Sequence, residues 1–135
     1  MSVDLSPLRR AVARLEEGLD EYLSDPSRTI VRDGLIQRFE FTYDLAPKIL
    51  RRVLVADSNT PTEVEALTFP ALMRTAFEKG IVDEAWQSWL EYREKRNITS
   101  HAYDEGLAKG VAKLIPAFLK EVQALLERLE SFGAK

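Results

Sequence analysis

The 135-residue sequence contains no cysteine and a single histidine, His101. Without cysteine the chain forms no disulfide bonds and offers no thiolate ligands, so nothing in it requires an oxidising compartment. Zinc sites use several histidines or cysteines, and carboxylate-bridged metal centres in helical bundles use a histidine on each of two helices. The composition therefore disfavours a protein-only metal site, and we expect no metal and no cofactor.

The sequence also lacks the motifs of common cofactor-dependent and hydrolytic enzymes. It has no glycine-rich phosphate loop, no G-x-S-x-G and no Asp-x-Asp pair of the kind that holds two metal ions for nucleotidyl transfer. No apolar run approaches the length of a membrane span, and the opening MSVDLSPLRR does not have the order of a signal peptide. We therefore expect a cytoplasmic protein that has no contact with membranes.

An excess of positive charge is missing as well. The formal net charge is -3, which argues against a protein that coats nucleic acid through a broad basic face. It leaves room for a small nucleic-acid-binding cleft. The length, with 45% hydrophobic and 30% charged residues, is typical of one globular domain spanning residues 1–135.

What the sequence does contain is helical periodicity. Apolar residues recur at intervals of three and four from Leu5 to Leu23, from about Ser27 to Ala56 and from about Asp104 to Phe132, which is typical of amphipathic helices. Ser6–Pro7 predicts the start of the first helix, with the serine as its N-cap. No stretch alternates with period two, so we expect no sheet.

Two shorter helices are predicted before the last long one. One runs from about Phe69 to Lys79 and ends at Gly80, and the other begins after Asp83. Residues 57–67 are rich in Asp, Ser, Asn, Thr and Pro and are predicted to form a loop. We therefore predict an all-α fold, an up-and-down four-helix bundle with an extra short helix.

Two groups of side chains on these helices each allow two interpretations. Trp86, Trp89 and Leu90 are typical of core or dimer packing, and a base-stacking platform is the alternative. A polar strip on the second long helix has spacings of four, three and four, and it is either a solvated face, completed by Lys48 and Arg51, or the lining of a cleft or partner surface. The residues of this strip are Asp33, Gln37, Glu40 and Asp44.

The segment RNITSHAY, residues 96–103, holds the residue types that RNA cleavage requires. Internal transesterification needs a base for the 2′-hydroxyl proton, an acid for the leaving 5′-oxygen and a fixed cation beside the phosphorane. His101 can act as acid or base, Arg96 can hold phosphate oxygens bidentately, and Asn97 can orient either of them. Because one imidazole cannot easily do both proton transfers, this chemistry predicts a homodimer with two copies of the segment in one cleft. The alternative is that His101 caps the last helix or binds a carbonyl group.

RNITSHAY resembles the R-x4-H-x-Y signature of HEPN-domain proteins, the small helical partners of minimal nucleotidyltransferases. RDGLIQRFEFTYDLAPKIL, residues 32–50, is similar to the long second helix of the branch called nucleotidyltransferase substrate-binding proteins. GIVDEAWQSWLEYREKRNITSHAYDE is similar to the same branch. The resemblance follows nearly the whole chain in order.

The resemblance implies a function and a role for each motif residue. Arg96 and His101 would be the catalytic pair of a metal-independent ribonuclease, with Asn97 the polar residue after the arginine. Tyr103 would be adenylylated by a minimal nucleotidyltransferase encoded nearby, which acts as the antitoxin to this toxin. Covalent AMP would add bulk and negative charge beside His101 and so repel an RNA phosphate.

A second interpretation comes from the same resemblance and from the polar strip on the second long helix. In this interpretation the chain is a non-catalytic subunit that binds substrate for a separate nucleotidyltransferase, with which it forms a stable complex. The two interpretations share the partner and differ in whether the chain cleaves RNA.

Overall fold

The computed structural model describes residues 3–135. Within that range the chain forms six α-helices and no strand, which confirms the predicted all-α bundle. The helices are α1 Ser6–Ser24, α2 Thr29–Asp57, α3 Pro61–Glu65, α4 Phe69–Glu78, α5 Ser88–Asn97 and α6 Glu105–Phe132. None of the helices in residues 3–135 has the length and hydropathy needed to cross a membrane.

The three long helices, α1, α2 and α6, pack against one another and enclose the core. Each contributes the apolar stripe that its periodicity predicted, with Leu8 and Leu15 from α1, Phe39 and Leu50 from α2, and Phe118 from α6 all fully buried. Removing a side chain of this size from water stabilises the fold by about 1.5–3 kcal/mol.

Aromatic rings attach α5 to this core. The ring of Phe118 lies 4.9 Å from that of Phe39, 5.6 Å from that of Trp89 and 5.2 Å from that of Tyr92, in edge-on arrangements. Trp89 is therefore a packing residue, as the first interpretation of the tryptophan group proposed. Trp89 also packs against Tyr43 of α2, with the ring centroids 6.2 Å apart. Because residues seven apart share a helix face, Arg96 is turned toward α2 as well.

Two local predictions were wrong. Residues 61–65 form the short helix α3, with Pro61 in its first turn, although the whole of 57–67 was predicted to be a loop. Ser6 is itself the first residue of α1, and its hydroxyl donates to Asp4 Oδ1 at 2.6 Å and does not cap the helix.

The end of α4 and the start of α5 follow the predicted signals. Gly80 has a positive φ of 75°, which favours glycine, and the Ile81 N–H donates back to the carbonyl oxygen of Ala76 at 2.9 Å. Asp83 Oδ1 then accepts the Ala85 N–H at 3.0 Å. This bond begins a 3-10 turn, Glu84–Gln87, that leads directly into α5.

Candidate functional site

The segment RNITSHAY spans the junction between α5 and α6. Arg96 and Asn97 end α5, a 3-10 turn covers Thr99–His101, and Tyr103 precedes the first turn of α6. The His101 N–H donates to the carbonyl oxygen of Ile98 at 3.0 Å, which closes the turn. The motif thus lies on a tight connection between two helices that are anchored in the core.

Arg96 is held by the carboxylates of α2. Its Nε donates to Asp44 Oδ1 at 2.9 Å and its Nη2 donates to Asp44 Oδ2 at 3.1 Å, which is a bidentate pair. Its Nη1 lies 3.4 Å from Glu40 Oε2. The hydrogen bonds to Asp44 raise the pKa of Arg96 above its ordinary value, so the guanidinium stays charged. Five N–H groups are available on a guanidinium, so some remain for a ligand.

Thr99 joins this guanidinium to the turn that carries His101. Arg96 Nη1 donates to Thr99 Oγ1 at 3.0 Å, and Thr99 Oγ1 donates to the backbone carbonyl of Arg96 at 2.8 Å. Thr99 is buried. Sequence reasoning missed Thr99, although a threonine hydroxyl commonly donates to the backbone carbonyl three or four residues earlier, as Thr99 does to Arg96.

The side chains of Asn97, His101 and Tyr103 are exposed and accept or donate no hydrogen bond within residues 3–135. Tyr103 is 84% exposed, and its ring lies edge-on to the imidazole with the centroids 6.0 Å apart. The interpretation of His101 as a helix cap is wrong, since Asp104 Oδ1 accepts the Leu107 N–H at 3.0 Å and so caps α6. Each of these three side chains is therefore exposed without a structural partner among residues 3–135, and those of His101 and Tyr103 lie side by side.

The polar strip of α2, formed by Asp33, Gln37, Glu40 and Asp44, divides into two parts. Glu40 and Asp44 face Arg96, so the interpretation of the whole strip as a solvated face is wrong. Asp33 is exposed and lies 3.5 Å from Arg32, and Gln37 is exposed without a side-chain hydrogen bond in the described chain.

Lys48 and Arg51 do not complete the strip. Arg51 instead turns toward α3, and its Nη1 donates to the carbonyl oxygens of Val64, Glu65 and Leu67 at 3.1, 3.2 and 2.9 Å. Lys48 is exposed and forms no ion pair within residues 3–135. Glu40 and Asp44 therefore find their cation on α5, whereas Asp33 pairs with Arg32 on α2 itself.

A second bidentate pair, which the sequence did not predict, lies on the other side of the motif. Arg32 Nη1 and Nη2 donate to the carboxylate of Glu105 at 2.9 and 3.0 Å. Arg32 is only 5% exposed, and its Nε has no hydrogen-bond partner in the described residues. The pair ties the start of α6 to the start of α2, so α2 holds the motif at both of its ends.

Side chains that could bind a metal ion are not grouped in the described chain. No cluster of three or more His, Cys, Asp or Glu side chains with suitable geometry occurs within residues 3–135. The ionisable groups around Arg96 and His101 are one guanidinium, one imidazole and the two carboxylates that hold the guanidinium. This arrangement is suited to binding an anion and to moving protons.

The helical bundle with Arg96 and His101 at one interhelical junction agrees with the HEPN resemblance of the sequence. Residues 3–131 match the family described as nucleotidyltransferase substrate binding protein like. The chain is 36% identical over 135 residues to a Haemophilus influenzae protein named probable ribonuclease HepT, with 94% of this chain and 92% of that protein covered. The chain therefore belongs to the nucleotidyltransferase substrate-binding protein family.

Two solved structures have the same fold. One is a Haemophilus influenzae protein, described as revealing the fold of a substrate binding domain of a nucleotidyltransferase. It superimposes with a TM-score of 0.87 at 33% identity over 94% of this chain and 99% of that one. The other, from Thermus thermophilus, superimposes with a TM-score of 0.74 at 31% identity over 90% of this chain and 98% of that one.

Proposed function

We propose that the chain is a metal-independent ribonuclease in which Arg96 and His101 act on the RNA phosphodiester bond. One observation carries the proposal: an exposed imidazole without a structural partner in residues 3–135 lies on the short turn that follows α5, and Thr99 of that turn is hydrogen-bonded to the charged guanidinium of Arg96 at the end of α5. A histidine that served only the fold would be expected to bond a neighbouring group. The ribonuclease name of the Haemophilus influenzae relative supports the same activity.

The reaction is an internal transesterification. The 2′-oxygen forms a bond to phosphorus while the bond from phosphorus to the 5′-oxygen breaks, which leaves a 2′,3′-cyclic phosphate and a 5′-hydroxyl. A base takes the 2′-hydroxyl proton, an acid gives a proton to the 5′-oxygen, and Arg96 stabilises the charge on the phosphorane oxygens. Asn97, exposed at the end of α5, orients the phosphate or the imidazole.

Two proton transfers require two groups, and each chain has one histidine. A two-fold homodimer that joins the exposed faces of two motif turns would supply an imidazole as base from one copy and an imidazole as acid from the other. The dimer is therefore part of the proposed function.

Tyr103 is the proposed control point. Its ring is 84% exposed beside His101, so a minimal nucleotidyltransferase encoded nearby can reach its hydroxyl. Adenylylation transfers AMP from ATP to the tyrosine oxygen with release of pyrophosphate. The added phosphate repels an RNA phosphate from the motif, so the partner acts as antitoxin and the free chain as toxin.

The test uses purified protein and labelled single-stranded RNA in the presence of EDTA. Wild type should produce fragments with cyclic phosphate ends, and His101→Ala should produce none while it unfolds at the same urea concentration. Tyr103→Phe is the matched control, because it keeps the ring and removes only the hydroxyl. It should cleave as wild type does and continue to cleave after incubation with partner and ATP. Equal RNA turnover by wild type and His101→Ala would overturn the proposal.

A second candidate function is a non-catalytic substrate-binding subunit of a two-component nucleotidyltransferase. It is favoured by the engagement of Arg96 with Asp44, Glu40 and Thr99, which suits a structural tie as well as a catalytic cation. It predicts a stable complex with the partner and no RNA cleavage by the wild-type chain. Size-exclusion chromatography of the co-expressed pair, combined with the RNA assay, separates the two functions.

A further inference from the structure

A cleft of about 600 Å³ lies next to the Arg96 site, between α2, α4 and α5. Asp44 belongs to both, because it binds Arg96 and also lines the cleft. The volume is within the range of about 300–1,000 Å³ that is usual for small-ligand pockets. An oligonucleotide with one phosphate bound at Arg96 could therefore place its next nucleotide in this cleft.

The cleft gathers cations in a chain whose net charge is -3. Lys48, Arg52 and Arg93 line it, and none of them forms an ion pair with any residue between 3 and 135. Two carboxylates also line it, Asp44 and Glu65, and the first is bound to Arg96. Three cations without partners in one concavity favour an anionic ligand.

Aromatic groups stand among these cations. The guanidinium of Arg93 lies over the ring of Phe69, 5.3 Å from its centroid. Tyr43 lines the cleft although the residue is only 6% exposed, and its hydroxyl makes no hydrogen bond within the described chain. Burial raises the pKa of Tyr43 to about 12, so the hydroxyl remains a donor at neutral pH. Phosphate-binding cations beside planar groups are the usual features of single-stranded nucleic-acid sites.

We propose that the cleft is a subsite for a nucleotide of single-stranded RNA next to the scissile phosphate. Lys48 and Arg52 contact its phosphate, the Tyr43 hydroxyl donates a hydrogen bond to it, and the base stacks against Phe69 and Arg93. The proposal rests on the ribonuclease function. It adds the path of the RNA across the protein surface, which runs from the motif turn past Asp44 toward α4.

The experiment measures RNA binding in the His101→Ala background, so that the substrate stays intact. The probe is a fluorescent single-stranded RNA of about ten nucleotides, a length suited to strand-binding surfaces. The test variant adds Lys48→Glu and Arg52→Glu, both on exposed residues of α2. The matched control adds Lys113→Glu and Lys120→Glu, which make the same charge change on exposed residues of α6 outside the cleft.

The cleft variant should bind the RNA about tenfold more weakly, while the control variant stays within about twofold of the His101→Ala protein. The slope of log affinity against log salt should fall by about 0.7, which corresponds to the loss of one neutralised phosphate of a single strand. Phe69→Ala should weaken binding without changing that slope, because it removes stacking and no charge.

Three results would overturn the subsite, and they differ in what they imply for the enzyme. If the cleft and control variants bind RNA equally while wild type cleaves it, the subsite is wrong and the ribonuclease stands. If AMP competes for the cleft with an affinity equal to that of the RNA, the cleft is a site for free nucleotides. If neither RNA binding nor cleavage occurs with any form, the ribonuclease function fails and the subsite fails with it.

Discussion

Arg96 on α5 and Asp44 on α2 form a bidentate pair, with Nε and Nη2 of the guanidinium at 2.9 and 3.1 Å from the two carboxylate oxygens. The two residues come from different helices, and the pair holds the guanidinium plane in one orientation. Thr99 extends the same network to the turn that carries His101. Asp44 is therefore a positioning residue for the proposed reaction.

Asp44→Asn should lower the rate of RNA cleavage by about 10- to 100-fold, because the guanidinium loses its fixed geometry. The free energy of unfolding should fall by only about 1 kcal/mol or less, since both partners are partly exposed and screened by water. Single-turnover kinetics and urea denaturation measure the two effects. Asp20→Asn, the same change on an exposed position of α1, is the control. A rate for Asp44→Asn equal to that control would contradict the positioning role.

Glu105→Gln should make the stability of the chain less dependent on pH. The hydrogen bond from Arg32 lowers the pKa of Glu105 in the folded state. The wild-type stabilisation is therefore fully present above about pH 4.3, the ordinary value for a glutamate in an unfolded chain, and is lost as the pH falls through the folded-state pKa. Urea denaturation should show the largest difference between wild type and variant at neutral pH and a vanishing one in strong acid.

The control for that measurement is Glu78→Gln, an exposed glutamate with no ion pair within residues 3–135. Its difference from wild type should stay constant with pH. A constant difference for Glu105→Gln as well would mean that the pair with Arg32 does not affect folding.

Arg51→Ala should release α3 from α2. One nitrogen of Arg51 donates to the carbonyl oxygens of Val64, Glu65 and Leu67, and loss of these charged hydrogen bonds should cost about 1–2 kcal/mol of unfolding free energy. Hydrogen exchange of the amides in residues 61–67 should become faster, and α1 should be unaffected. Arg52→Ala, the neighbouring arginine, should change neither quantity. Unchanged exchange in Arg51→Ala would show that α3 is held by other contacts.

Phe118→Ala should cost about 3–5 kcal/mol, because it opens a cavity beneath α5 where Trp89 and Tyr92 pack. Phe77→Ala, at a position that is 41% exposed on α4, should cost about 1 kcal/mol or less. Chemical denaturation measures both, and near-ultraviolet circular dichroism reports the packing of Trp89. Equal costs at the two positions would contradict the assignment of Phe118 to the centre of the core.

The helices were predictable from sequence because each long one buries a continuous stripe, and burial imposes the period that the sequence displays. The five-residue helix α3 was not, since a single turn leaves no periodic signal and depends on the distant Arg51. The same limit applied to the site. The spacing of Glu40 and Asp44 showed that they share a face, but which cation they meet depends on how α2 and α5 are rotated in the core.

The residues of the motif were identified from their chemistry and from the resemblance, but the residues that hold them in place were not. Thr99 and Glu105 lie within the segments compared with the family but were given no role, because a threonine and a glutamate near a helix end are common. Arg32 was part of a quoted segment, yet its burial follows only from the way α6 crosses the start of α2. Which charged side chains pair in the folded protein could not be predicted from the single sequence.

Arg96 is hydrogen-bonded to α2 whereas the side chain of His101 is not bonded, so substitutions at these two positions should differ in their effect on the cellular level of the protein. Replacing Arg96 also removes the hydrogen bonds that join α2 to α5. A fraction of the protein molecules would therefore be lost to proteolysis, and the cellular level of the protein would drop. Replacing His101 removes an imidazole that binds nothing else in the described chain, so the level would stay normal. An immunoblot of surviving clones would thus sort two kinds of inactivating mutation.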